Sequence, residues 1–277
     1  MTEKIVLITG VSTGLGRAFA EQLLAAGYIV VGTVRKQEDV ETFEALKPGK
    51  AHARILDVTD ENAVTTTAIV VEATVGPIYA LINNAGYGHE GILEEASMDE
   101  VRHQFNVNVF GPVAMMKAVL PYMRQRREGR ILNITSMGGL ITFPGISLYN
   151  GSKFALEGIS GSVGKEVKPF NIFVTAVEPG MFRTDWSGRS MIRTERSIAD
   201  YDESFTPVRE ARAARSGKQN GDPAKAGKAI VKLLEAEAPP AHLLLGPDAL
   251  DFVSKEFATT QAEFDAWREV TISTNFD

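Results

Sequence analysis

A chain of 277 residues with 44% hydrophobic content can build one large α/β domain or two small ones, each with a substantial core. Its formal charge of -6 argues against a polyanion-binding face, so nucleic acid is not an expected partner. The absence of cysteine excludes disulfides, thiol nucleophiles and thiolate-held metals, and four scattered histidines give no expectation of a metal site.

The chain passes through Glu3 and Lys4 straight into a strand-like run, which leaves no room for a signal peptide. No apolar stretch reaches the ~18 to 20 residues that span a bilayer, so a soluble cytoplasmic protein is expected. The sequon Asn133-Ile134-Thr135 falls in a predicted buried strand of a chain without an export signal, and is read as core.

In chain order, Lys4 to Thr9 is a short β-rich run that breaks at Gly10 into Thr9-Gly10-Val11-Ser12-Thr13-Gly14-Leu15-Gly16, ahead of a helical pattern from Arg17 to Ala26. Spaced glycines between strand and helix let backbone approach a pyrophosphate where free N–H groups and the helix dipole favour negative charge. Tyr28 to Val34 is the second strand. A dinucleotide site addresses the adenosine ribose at its end, where an acidic residue would repel a 2′-phosphate. Val34 and Arg35 stand there instead, and a guanidinium pairs with that phosphate, so NADP(H) is expected in preference to NAD(H). The same run to Asp39 also has the composition of a solvated loop.

Ala51 to Leu56 is the third strand, followed by Asp57-Val58 and a helix from about Asp60, its N-cap, to Thr74. Asp57 suits either the adenine amino group or a turn closed on its own backbone. Ile78 to Ile82 is the fourth strand and ends in Asn83-Asn84-Ala85-Gly86, small residues that allow close approach. From Met98 to Arg127 one apolar stripe runs through Val101, Phe105, Val109, Val113, Met116, Val119, Leu120 and Met123. Asn108 interrupts it, and a buried Asn needs partners, so it marks a kink, a water or a functional contact.

Arg130 to Thr135 is the fifth strand, and the loop from Ser136 to Ser147 leads to a helix from about Tyr149 to Lys168. Tyr149 and Lys153 are four apart and share a helix face. A phenol is a poor acid or base at neutral pH, but an ammonium about 4 Å away at an effective dielectric of about 20 contributes about 4 kcal/mol towards phenolate, about three pKa units. Ser136, at the end of a buried strand, suits holding a substrate oxygen where Tyr149 moves the proton. A helix-surface pair has the same spacing, so context decides.

Asn171 to Val177 is the sixth strand and runs into Glu178-Pro179-Gly180. The following segment to Asp222 carries no strand signal, is too long for a plain connector, and is read as a helical substrate lid over about 185–222. A helix from Pro223 to Glu235, a strand from Ala241 to Leu245 and a helix from Asp248 to Trp267 complete a single domain. The alternation implies a Rossmann-type, doubly wound parallel sheet of about seven strands with helices on both faces, and a ligand beyond the strand C-termini.

Taken together, Thr9-Gly10-x-x-x-Gly14-x-Gly16, Asn83-Asn84-Ala85-Gly86, Asn108, the Ser136, Tyr149 and Lys153 trio and Pro179-Gly180 resemble the short-chain dehydrogenase/reductase family over residues 4–246. The stretches Ser152 to Gly158 and Pro179 to Asp185 look like its 17β-hydroxysteroid and retinol dehydrogenase-like branch. The resemblance implies that Tyr149 is the general acid or base and that Ser136 steadies the reacting oxygen. Lys153 would hold the nicotinamide ribose and lower the tyrosine pKa, with Asn108 positioning a proton-relay water. It implies cofactor contacts from Gly10, Ser12, Thr13, Gly14, Leu15, Gly16, Arg35, Asp57, Val58, Asn84, Ala85, Gly86, Tyr149, Lys153, Pro179, Gly180, Phe182 and Thr184. A homodimer or homotetramer is usual for the family. Tyr87, His89, Leu140, Phe143, Ile146, Met181, Phe182 and Trp186 are candidate pocket walls, mostly apolar, which favours a small hydrophobic ketone, aldehyde or alcohol. A non-catalytic NADP(H) sensor on the same fold is the alternative, and it would not need the proton-transfer group.

Overall fold

The computed structural model describes residues 4–276, and Glu3, in the lead into the first strand, lies outside them. In chain order the elements are β1 (Ile5–Ile8), α1 (Gly14–Ala25), β2 (Ile29–Val34), α2 (Glu38–Glu44), β3 (Ala51–Ile55), α3 (Glu61–Thr74), β4 (Ile78–Asn83), β5 (Gly88–Glu90) and α4 (Met98–Phe105). A π turn, Asn106–Phe110, joins α4 to α5 (Gly111–Arg126), and β6 (Gly129–Ile134), α6 (Ser147–Val167), β7 (Ile172–Pro179) and β8 (Met191–Arg193) follow. The chain closes with α7 (Asp202–Arg215), α8 (Pro223–Glu235), β9 (His242–Leu245), α9 (Pro247–Ala266) and α10 (Arg268–Ile272).

Seven strands form one parallel sheet in the order β3-β2-β1-β4-β6-β7-β9. Successive β1 side chains point to opposite faces, so Val6 and Ile8 enter a core with Phe19 and Leu23 of α1 and Ile230 of α8, whereas Ile5 and Leu7 enter one with α3 and α5. Strands buried on both faces explain the continuous apolar runs of the sequence. The order reverses between β1 and β4, which opens a crevice beyond their C-terminal ends.

Three features depart from the sequence reading. The segment after Arg35 is not all loop, since α2 starts at Glu38 with three acidic residues in its first turn, where the helix dipole favours them. The helix expected over 98–127 is continuous but carries the π turn at Asn108. The 185–222 segment contains α7 but also β8, which pairs parallel with β5 in a separate two-stranded sheet. A three-residue strand is too short to show a period, and its partner lies a hundred residues earlier in the chain.

Close packing also sets residue size within the sheet. A Cβ on Gly32 of β2 would sit 2.3 Å from Val11 Cγ2 and 2.6 Å from Phe43 Cζ. Gly32→Ala should therefore destabilise the protein by about 1–3 kcal/mol through overpacking, read as a lower urea midpoint; an unchanged midpoint would show that α2 yields freely.

Candidate active site

A cleft of about 780 Å³ lies across the C-terminal ends of β1, β2, β4, β6 and β7. It is lined by Ser136, Tyr149 and Lys153 together with Gly10, Ser12, Thr13, Gly14, Leu15, Arg35, Asp57, Val58, Asn84, Ala85, Gly86, Pro179, Gly180, Phe182 and Thr184. Gly16 lies beneath it instead: a Cβ there would sit 2.1 Å from the Gly10 carbonyl oxygen and 2.3 Å from Asn84 Nδ2. Its missing side chain serves packing between α1 and the loop after β4.

The glycine turn is held open by the residues around it. Gly10 has φ +72 and Gly14 φ +65, left-handed conformations that favour glycine. Thr9 Oγ1 accepts from both Asn84 and Ala85 N–H at 3.0 Å, while Asn84 Nδ2 donates to the carbonyls of Thr9 (3.0 Å) and Gly10 (2.8 Å). Asn84 thus clamps the ends of β1 and β4 together. Thr13 at the start of α1 makes no side-chain cap and the first turn has no acidic residue, so the helix presents N–H donors and positive dipole to the cleft.

At the adenosine end, Arg35 is exposed and acts with Thr59 to hold the Asp57 carboxyl below its ordinary pKa, the Thr59 backbone N–H being the larger cause. Asp57 Oδ1 accepts from that N–H at 2.9 Å and from the Thr59 hydroxyl at 2.8 Å, so it closes a turn as well as lining the cleft. Lys36 turns away to Glu38, 3.0 Å distant. An open helix N-terminus, left-handed glycines at positions 10 and 14, the Arg35 guanidinium at the end of β2 and Arg189 donating to Thr13 Oγ1 at the start of α1 fit a phosphorylated dinucleotide.

Ser136 Oγ accepts from Gly138 N–H at 3.0 Å, which leaves its own proton to donate towards Tyr149 or a ligand oxygen. Lys153 Nζ donates to the Ile134 carbonyl at 2.8 Å and lies 5.7 Å from the Tyr149 ring centroid. The expected lowering of the tyrosine pKa is not what this packing does. Burial pushes Tyr149 up to about 12, with Ser136 acting in the opposite sense, and pulls Lys153 down to about 8, with Glu157 opposing. Both groups lose water, and desolvation outweighs the attraction inferred from spacing alone.

Asn108 is 1% exposed and its side chain does not reach the cleft. The π turn aims it at the loop after β4, where it accepts from Tyr87 N–H (3.1 Å) and donates to Tyr87 O (3.0 Å) and Ser152 Oγ (3.2 Å). Its amide therefore ties Tyr87 to Ser152 of α6. The Pro179 turn is fixed likewise: Met181 N–H donates to Asp248 Oδ2 at 2.7 Å, and a Cβ on Gly180 would sit 2.5 Å from Asp248 Oδ1. Thr184 Oγ1 accepts from Trp186 N–H at 3.3 Å and keeps its proton free.

Of the expected wall residues, Tyr87, Phe143, Ile146, Met181, Phe182 and Trp186 line the cleft, and Trp186 stacks edge-on to Tyr149 at 5.1 Å. His89 and Leu140 do not. His89 is buried, with Nε2 3.1 Å from Thr194 Oγ1, and Leu140 packs against the Met137 and Val253 cluster. Arg189, Ile192, Pro207, Val208 and Ala211, all within the segment expected as a lid, also line the cleft, and so does Phe252, which sequence reading missed. Pro207, Val208 and Ala211 fall on one face of α7, a helical spacing visible in hindsight. That helix is tied to β5 by Arg212, which shares the buried Glu90 with Arg193.

A protein-family model described as short chain dehydrogenase matches residues 4–193. The 3-ketodihydrosphingosine reductase of Bacteroides thetaiotaomicron is 40% identical over 89% of this chain and 89% of its own. A short-chain dehydrogenase structure from Streptomyces avermitilis superposes with TM-score 0.92 and 40% identity over all of both chains. A structure of ElxO with NADP bound superposes with TM-score 0.75 and 26% identity, covering 90% of this chain and 100% of that one.

Proposed function

We propose that this chain, which belongs to the short-chain dehydrogenase family, is an NADP(H)-dependent reductase of small hydrophobic ketones or aldehydes. The observation that carries the reading is the meeting of Ser136, Tyr149 and Lys153 in one cleft with an uncapped helix N-terminus. NADP(H) is supported by Arg35 and by the NADP-bound relative ElxO, and a ketone substrate by the name of the Bacteroides relative.

When bound, the nicotinamide supplies or accepts hydride. Gly10, Ser12, Thr13, Gly14 and Leu15 bind its pyrophosphate, Arg35 the 2′-phosphate, and Asp57 and Val58 the adenine. Asn84, Ala85, Gly86, Pro179, Gly180, Phe182 and Thr184 shape the nicotinamide half. Ser136, within hydrogen-bond reach of Tyr149, turns its proton to the substrate oxygen, and Tyr149 delivers the proton that completes an alcohol. A phenol raised to about 12 stays protonated at neutral pH, which suits a donor and so favours reduction. Lys153 holds the ribose, Asn108 steadies Tyr87, and residues 185–222 close over the substrate as a lid. Exposed Phe110 and Phe154 on the helices around Asn108 and Lys153 support self-association as a dimer or tetramer. No described helix is long and apolar enough to cross a membrane.

NADPH oxidation against a panel of hydrophobic ketones, aldehydes and quinones tests the reading. Turnover of apolar carbonyls is expected; NADPH binding by fluorescence with no turnover across the panel would favour a sensor.

The pH profile of kcat for reduction should fall as pH rises through about 8, where Lys153 loses its charge. Below that pH the ammonium remains to hold the ribose, and Tyr149, near 12, stays protonated throughout. A profile flat to the alkaline limit of stability would detach activity from the Lys153 charge.

A further inference from the structure

One helical turn beyond Lys153 on α6, Glu157 meets Glu178 of β7 and His242 of β9. The side chains of Glu157 and Glu178 are 8% and 0% exposed, and His242 Nδ1 lies 2.7 Å from Glu178 Oε1 and 3.5 Å from Glu157 Oε2. One donor atom from each residue lies within 4.8 Å of the other two. We propose that Glu157, Glu178 and His242 bind one divalent transition-metal ion of the zinc or manganese class.

Carboxylates this deeply buried need a counter-charge or hydrogen bonds, or else take up a proton. Burial raises the pKa of both Glu157 and Glu178, so an ion would bind here in exchange for protons. Among the described residues, neither oxygen of Glu157 nor Oε2 of Glu178 has a hydrogen-bond partner. Lys153 donates to the Ile134 carbonyl at 2.8 Å and acts on Glu157 only through its charge, while the Thr135 hydroxyl, which also reaches Glu157, points its proton at the Val177 carbonyl at 2.9 Å. Two carboxylates and an imidazole form a mixed oxygen and nitrogen set, suited to a borderline cation. Ligand atoms about 2.1 Å from a tetrahedral ion are about 3.4 Å apart, so small side-chain shifts would complete the set. His242, 56% exposed on the edge strand, provides the entrance, and solvent the remaining ligand. The bound ion would pin α6 to β7 and β9 directly behind the Pro179 turn. The scattered histidines gave no sign of this, because folding brings one of them to two distant glutamates.

The test uses the full chain, stripped with a chelator and titrated with Co²⁺ by absorbance and with Zn²⁺ and Mn²⁺ by calorimetry. One ion per chain is expected, with visible bands of four-coordinate Co²⁺ and a melting temperature that climbs with metal concentration. Losing an outer-shell partner already weakens metal sites by about 10- to 100-fold, so His242→Ala should weaken binding by at least about 100-fold. Glu178→Gln should act likewise, and if it fails to fold, the exposed His242 position decides alone. No binding to the wild-type chain, or equal affinity in His242→Ala, overturns the site.

Discussion

Tyr149→Phe is expected to lower kcat for carbonyl reduction by about 10²- to 10⁴-fold, the usual contribution of a positioned general acid, while NADPH still binds. The substitution removes one oxygen and little else. The ring keeps its edge-on contact with Trp186 at 5.1 Å, and Ser136 keeps the Gly138 N–H that orients its hydroxyl. Because burial already penalises the phenolate, deleting the hydroxyl leaves no stranded charge, and the melting temperature should change little. Ser136→Ala should act in the same direction, with a loss of about 10²- to 10³-fold for one oxyanion donor. Steady-state kinetics with NADPH fluorescence in parallel separates the two effects. A Tyr149→Phe enzyme of undiminished kcat would mean that the proton comes from elsewhere, and would remove Tyr149 from the mechanism.

Local signals carried most of the architecture. The strand, glycine turn and helix from Ile5 to Ala25 are adjacent in sequence, as are Tyr149 and Lys153, so spacing alone orders them. The seven-stranded sheet follows from alternation of apolar runs and helical periods. What escaped depends on partners distant in the chain. β5 and β8 are three residues each and exist only through pairing with one another. His89 is a candidate pocket wall from its place in the chain, with a local hydrogen bond the favoured role, and the pairing of β5 with β8 turns it inward onto Thr194, distant in sequence. The tyrosine pKa is the sharpest case. Spacing gave the distance to an ammonium, but the shift depends on how much water surrounds both groups, which only the packed structure decides. Gly16 and Asn84 teach a related lesson, since motif residues that look like ligand contacts also hold the loops that make the contacts.

Cofactor choice should rest on one side chain. Arg35→Ile is expected to reduce the NADPH over NADH ratio of kcat/KM by about 10- to 150-fold, the equivalent of about 1.5–3 kcal/mol for a charge-assisted hydrogen bond. Among the described residues Lys36 is the other cation at the end of β2, and it is drawn to Glu38 at 3.0 Å. That surface pair is weak enough to break, so Lys36→Ala should shift the ratio in the same direction but less. Adding Val34→Asp places a carboxylate at the strand end, where it accepts from the ribose hydroxyls and repels a 2′-phosphate, and should carry the preference over to NADH. Val34 is 2% exposed, so the double variant loses stability for the buried charge and must be assayed below its own melting range. The single Arg35→Ile change has no such penalty because Arg35 is exposed, which makes it the cleaner test. An unchanged ratio there would place 2′-phosphate discrimination outside the second strand, with Arg189 beside Thr13 the next cation along the cleft.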